Sequence, residues 1–212
     1  MYIVLEGQDG AGKDTQAARL MKHFMQAGKR VVTYSESGTG SQDAFVAEVA
    51  RLAYGSQQDI DHRTRVMLYL VNRYEQWRKV AEPALRDGAV VIVTRNWFST
   101  LVYEGYGAGV SRSLIARLHK AVMPERYFKP DKIFILTVSE EEQMRRLGTQ
   151  AAAHPGREKE VWKSRGVEFQ HKLNAGYLKI AEEYKVPVID GGGSIEEVAE
   201  RILKLVSTGS DS

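Results

Sequence analysis

Gly7, four intervening residues, Gly12 and Lys13 form the pattern G-x-x-x-x-G-K inside the segment GQDGAGKDT. These residue types at this spacing bind phosphate. Glycines let the backbone curl around an anion, and the N–H groups of the loop and of the helix that follows then point at it. The contacting segment is Gly7, Gly10, Ala11, Gly12, Lys13, Asp14 and Thr15, with the Lys13 ammonium within reach of β- and γ-phosphates. The hydroxyl residue that normally follows the lysine and holds Mg²⁺ is Asp14 here, with Thr15 behind it. Asp14 has two readings. Its carboxylate can hold Mg²⁺ directly or through water. It can equally sit as a favourable acid in the first turn of a helix.

The elements around the loop fit that use. Residues 2–5 are apolar and β-rich, and residues 14–26 carry helical spacing through Ala17, Leu20, Met21 and Phe24. A strand, the loop and a helix therefore follow in the order the motif needs. Further strands are expected at 30–34, 89–93, 132–138 and 186–189. The run at 89–93 is apolar without interruption, as in a strand covered on both faces. Helices are expected around 45–55, as one long element over 61–86, and over 111–122, 139–147, 160–184 and 195–206. The long element places Val66, Leu70, Tyr74 and Trp77 on one side. Alternating strands and helices predict an α/β fold, a five-stranded parallel sheet with helices on both faces. Residues of about 148–160 read as a flexible lid, and 207–212 as a frayed tail.

The bulk properties agree with one domain spanning 1–212. There are no cysteines, which excludes disulfides and thiolate metal sites and fits a cytoplasmic protein. No apolar run approaches the roughly 18 residues of a membrane span, and the N-terminus lacks the basic start of a signal peptide. The net charge of +3 and the absence of a dense basic run point to a phosphate-rich small ligand, with no call for nucleic acid. The five histidines are scattered, and none is read as a ligand or base.

The motifs taken together resemble those of the thymidylate kinases, P-loop enzymes of the NTP hydrolase fold that phosphorylate dTMP with ATP. The resemblance runs from Met1 to about Val206. Its pieces are LEGQDGAGKDTQ, the turn SESGTGS after the second strand, MLYLVNR, the stretch VVIVTRNWFSTLVYEG, and PDKIFILTVSEEEQMRRL. It implies catalytic roles for Lys13, Arg95 and Asp9, with Arg95 on the acceptor phosphate and Asp9 near the deoxyribose 3′-hydroxyl and the metal. Tyr69 would stack on the base, and Arg73 would meet the base edge or a phosphate. Ser99 and Thr100 would face the base, and Tyr103 would disfavour a 2′-hydroxyl. Glu36 would line the acceptor site. Arg145, Arg146 and Arg157 are the lid arginines that would neutralise the transferring group. Mg²⁺ would lie at Asp14 and Asp9, and a homodimer would form through the helix that starts near Asp61.

The chain departs from the family pattern at Thr94 and Asn72, where acids are usual, at Asn96 in place of tyrosine, and at Glu104 in place of glutamine. These departures leave other acceptors open, as does RNWF, a segment similar to one in polyphosphate-dependent nucleotide kinases. A catalytically weak nucleotide-binding protein is the reading from outside the kinases.

Overall fold

The computed structural model describes residues 1–54, 59–153 and 159–208, without side-chain detail for 150–165 and 167. Its centre is a five-stranded parallel sheet in the order β2-β3-β1-β4-β5. The strands are β1 (Tyr2–Gly7), β2 (Val31–Ser35), β3 (Val90–Thr94), β4 (Lys132–Thr137) and β5 (Val188–Asp190). β1 lies between β3 and β4 and pairs with both.

Every residue of β1 is buried, because alternate side chains serve different cores. Tyr2 and Val4 pack into one cluster with Val66, Leu70, Trp77 and Tyr177. Ile3 and Leu5 pack into the other, with Ala17, Leu20, Val198 and Ile202. The first cluster is covered by α3 (His62–Gln76), α4 (Glu82–Arg86) and α8 (Lys159–Tyr184), the second by α1 (Lys13–Gln26) and α9 (Ile195–Ser207). The remaining helices are α2 (Ala44–Tyr54), α5 (Trp97–Thr100), α6 (Arg112–Val122) and α7 (Glu140–Ala153).

The caps follow the sequence. Asp61 accepts from Arg63 N at the start of α3. Ser111 caps α6, and Ser194 forms a capping box with Glu197 at α9.

Three expectations are revised. The element over 61–86 is continuous but contains a π-helical turn at Trp77–Ala81, after which Pro83 opens α4. Tyr74 does not share the buried side of α3; it is 38% exposed while Val66, Leu70 and Trp77 are buried. Residues 148–153 of the expected lid are the last turns of α7, and α8 begins at Lys159, with a break at Gly166 (φ 74°, ψ 168°). Residues 154–158 of the lid and 209–212 of the tail lie outside the described residues. Among the described residues, no helix is long and apolar enough to cross a membrane.

Candidate active site

The last residue of β1, Gly7, has to be glycine because the neighbouring strand leaves room for nothing larger. A Cβ at Gly7 would lie 2.0 Å from the carbonyl oxygen of Leu136 on β4, and its φ of +134° is one that L-residues rarely adopt. The chain then turns through Gly10 and Gly12 into α1, with Gly12 in the left-handed region as N-cap. The first N–H groups of α1 have no acceptor inside the helix, so they face the hollow of the loop. Three side chains brace the loop, one of its own and two from α7. Gln8 Nε2 donates to Val138 O (2.8 Å), Gln143 Nε2 to Asp9 O (2.8 Å), and Arg146 Nη1 to Gly10 O (3.3 Å).

Lys13 is buried, and its ammonium donates to Gln8 O (2.8 Å) across the loop. Burial, reinforced by the positive charge of Arg95, pushes its pKa from 10.5 down to about 8. The loop therefore holds a buried lysine whose charged form is disfavoured despite the carboxylates of Asp9, Asp14 and Glu6.

The second half of the site hangs from the end of β3. Arg95 adopts φ 69°, an unusual value for a side chain of its size, and its N–H donates to Leu5 O (2.9 Å). Glu6 secures the turn that follows. It is completely buried; its Oε1 accepts from Asn96 N (2.6 Å) and Ser99 N (2.9 Å), and its Oε2 from Ser99 Oγ (2.8 Å). One carboxylate of β1 thus gathers the start of α5. The helix continues as a π-helical segment, Leu101–Gly107, a form frequent at functional sites. That segment turns Tyr103 towards Asp9.

Asp9 joins the two halves. Its Oδ1 pairs with Arg95 Nη2, and its Oδ2 accepts from Tyr103 OH at 2.7 Å. Burial raises the pKa of Asp9, but the charges of Arg95 and Lys13 and the Tyr103 hydrogen bond outweigh it and hold the carboxyl below its usual range. The Arg95 guanidinium also lies over the Tyr103 ring (5.4 Å) and reaches Ser99 Oγ (3.3 Å) and Tyr177 OH (3.5 Å). Arg95, Lys13 and Asp9, expected to act together, do lie together.

The remaining residues expected on the acceptor side form a wall. Arg73 is buried and donates through Nε to Glu36 (3.0 Å), through Nη1 to Thr100 Oγ1 (2.6 Å) and through Nη2 to Asn96 O (2.9 Å). Glu36 also accepts from Tyr127 OH (2.8 Å). Burial pushes Glu36 up to about 7 against the pull of Arg73. Asn72 donates to Ser37 O (2.8 Å), which fixes the turn after β2. Tyr69 is buried beside Arg73 and packs on Tyr54, the last residue of α2, at 5.0 Å and 36°.

The lid arginines separate. Arg145 is exposed and pairs with Glu142. Arg146 turns inward, donating to Gly10 O and Gly191 O (2.9 Å) while pairing with the same Glu142. Arg157 lies outside the described residues.

The two carboxylates expected at a metal differ. Both oxygens of Asp9 are engaged by Arg95 and Tyr103. Asp14 is exposed in the first turn of α1, with no hydrogen bond or ion pair among the described residues. No cluster of three or more metal-binding side chains occurs among the described residues. The chemistry of this donor set fits a cation that brings phosphate oxygens as its other ligands, with Asp14 as the free protein donor.

The sequence reading missed six participants: Glu6, Gln8, Gln143, Tyr54, Tyr127 and Tyr177. Glu6 was detectable as the one acid inside an apolar strand that runs into the loop. The others carry no local signal.

A parallel sheet with a glycine-lysine loop after its central strand, and an arginine at the end of the adjacent strand, defines a P-loop nucleotide-binding fold of the kinase type. The comparisons narrow this. The family model described as thymidylate kinase matches residues 5–202. The chain is 32% identical over 208 residues to a thymidylate kinase of Chlorobaculum parvum, covering 96% of this chain and 94% of that one. It is 34% identical over 211 residues to one of Ruegeria pomeroyi, covering 98% and 95%. A thymidylate kinase structure from Ehrlichia chaffeensis shares the fold, with a TM-score of 0.73, 24% identity and 98% coverage of both chains. The chain belongs to the thymidylate kinase family.

Proposed function

We propose that this chain transfers the γ-phosphoryl group of ATP to the 5′-phosphate of dTMP, giving dTDP and ADP. The observation that carries this reading is Asp9 paired with Arg95 at the end of β3 and lying within the electrostatic reach of Lys13 in the phosphate loop. One cation serves the donor and the other the acceptor. An acceptor phosphate oxygen attacks the γ-phosphorus, the bond to the β-bridging oxygen breaks, and the protein positions both and neutralises charge. No covalent intermediate with the protein is needed.

In this reading the N–H groups of Gly10 to Thr15 and the Lys13 ammonium hold the triphosphate. Asp14 would hold Mg²⁺, which would supply positive charge against that developing in the transfer. Arg95 binds the acceptor phosphate, oriented by Asp9, Ser99 and Tyr177. Tyr103 and Asp9 meet the sugar. Tyr69 stacks on the base. Arg73, Glu36 and Thr100 support the wall behind it, and Arg146 steadies the loop.

The reading includes a homodimer. An apolar groove is lined by Phe45, Met67, Leu70, Val71, Tyr74 and Val122. Five of these are substantially exposed, Phe45 by 51% and Met67 by 50%. A second copy would cover that face.

The deciding experiment is an ADP-release assay with MgATP across a panel of nucleoside monophosphates, repeated with polyphosphate as donor. Turnover with dTMP and MgATP supports the reading. Turnover only with polyphosphate, or nucleotide binding without turnover, overturns it.

A further inference from the structure

Residues Gln8 to Ala11 form a tight turn in the phosphate loop, closed by the Ala11 N–H donating to Gln8 O at 3.3 Å. Gly10 stands third in that turn with φ 79°, the value of a type II turn. A type I turn over the same residues differs by rotating the central peptide, here the one joining Asp9 to Gly10, through roughly half a circle. Glycine accepts the φ of both forms, so the backbone alone leaves the choice open. The choice matters, because a trans peptide points its carbonyl and its N–H in opposite directions. Turning the Asp9 carbonyl therefore turns the Gly10 N–H with it, and that N–H makes no hydrogen bond among the described residues.

Side chains make the choice. Gln143 on α7 is completely buried, and its Nε2 donates to Asp9 O at 2.8 Å. Its Oε1 accepts from Asn174 Nδ2 on α8 (3.2 Å), and Asn174 Oδ1 accepts from Gln170 Nε2 (2.8 Å), one turn earlier on the same helix. The orientation of all three amides follows from the Asp9 end. A carbonyl can only accept, so Gln143 must face it with nitrogen, and Asn174 and then Gln170 must each present nitrogen to the oxygen ahead. The three amides donate in one direction, an arrangement in which each bond polarises the next. Three residues beyond Gln143, Arg146 donates to Gly10 O (3.3 Å), so the next peptide is held from the same helix.

We propose that Gln143 is a positioning residue for the phosphate donor: through the chain Gln170–Asn174–Gln143 it holds the Asp9–Gly10 peptide in the type II form and keeps the Gly10 N–H available to a phosphate oxygen of ATP. Gln143 is buried and acts only through the peptide it pins. Asn174 acts one step further back, through Gln143. Once released, the peptide can flip, and the Asp9 carbonyl then offers a lone pair where the N–H stood, so that an attraction to phosphate becomes a repulsion. The proposal rests on the reading of this loop as the triphosphate site.

The test measures, by calorimetry on the full chain, the binding of a non-hydrolysable ATP analogue and of inorganic tripolyphosphate, each with Mg²⁺, and separately of dTMP. Tripolyphosphate isolates the contacts to phosphate from those to the nucleoside. Gln143→Leu is expected to weaken both phosphate ligands about tenfold and dTMP by less than about twofold. Asn174→Leu leaves Gln143 in place without its orienting donor and is expected to weaken the phosphate ligands about threefold. The double variant should bind as Gln143→Leu does, because Asn174 has no second route to the loop. Unaltered tripolyphosphate affinity in Gln143→Leu, an equal loss of dTMP affinity, or additive losses in the double variant overturns the proposal. Should Gln143→Leu fail to fold, Asn174→Leu decides, and an unaltered tripolyphosphate affinity there is the refuting result. A wild type that binds neither phosphate ligand refutes the reading of the loop and the proposal with it. A wild type that binds both, with variants that bind them equally well, refutes the proposal alone.

Discussion

Lys13 should make the binding of a triphosphate depend on pH in a way the structure sets. In the unliganded protein, burial and the nearby Arg95 hold its pKa at about 8, against 10.5 for an ordinary lysine. That drop corresponds to about 3 kcal/mol favouring the neutral amine. A bound polyphosphate supplies further negative charge and returns the ammonium towards its ordinary pKa. The sign follows. Below about pH 8 the lysine is charged with or without ligand, and affinity is flat. Above it, binding must take up a proton, and affinity should fall roughly tenfold per pH unit until about 10.5. Calorimetric titration with a non-hydrolysable ATP analogue and Mg²⁺, in two buffers of different ionisation enthalpy, measures this directly. Proton uptake should be near zero at pH 7 and close to one at pH 9. Lys13→Met should abolish the uptake and weaken binding by about a hundredfold. Equal uptake at both pH values, or an undiminished uptake in the methionine variant, would refute the argument.

Arg73→Ala should strip the buried Glu36 of its cation and destabilise the fold by about 3–5 kcal/mol, seen as a Tm lower by roughly 10 °C. A normal Tm with lost acceptor affinity would instead make Arg73 a ligand contact. Gly7→Ala drives a methyl group into the Leu136 carbonyl and should cost about 3 kcal/mol or more in chemical denaturation. Tyr103→Phe removes one of the two groups holding Asp9 and should lower kcat/KM for the acceptor about tenfold, with an unchanged unfolding midpoint.

Much of the donor half was legible because its chemistry is local. Gly7, Gly12 and Lys13 sit within seven consecutive residues, and the strand and helix beside them announce themselves by periodicity. Arg95 was legible as a charge at the end of an apolar strand. Glu36, Tyr69, Arg73 and Thr100 were named through the family resemblance, but the contacts that join them into a wall were not legible, because they link residues far apart in the chain. Glu6 meets Ser99 and Tyr177, and Arg73 meets Glu36, through contacts no spacing rule encodes. The two π-helical turns were invisible too, since their apolar residues look like ordinary helix. Arg145 and Arg146 are identical neighbours in sequence, and only packing sends one to solvent and the other to Gly10.

The two halves of the site are joined chiefly at Glu6 and Asp9 on and just after one strand, while the side chains that would touch a base stand on α3 and the π-helical segment. That division has an evolutionary consequence. If Tyr69 stacks on the base as proposed, a substitution there would change the base contact while Glu6 and Asp9 keep the phosphate-binding groups in register. Of the departures from the family pattern, Asn72 stands on α3 and Glu104 on the π-helical segment, whereas Asn96 sits beside Arg95 with its N–H held by Glu6.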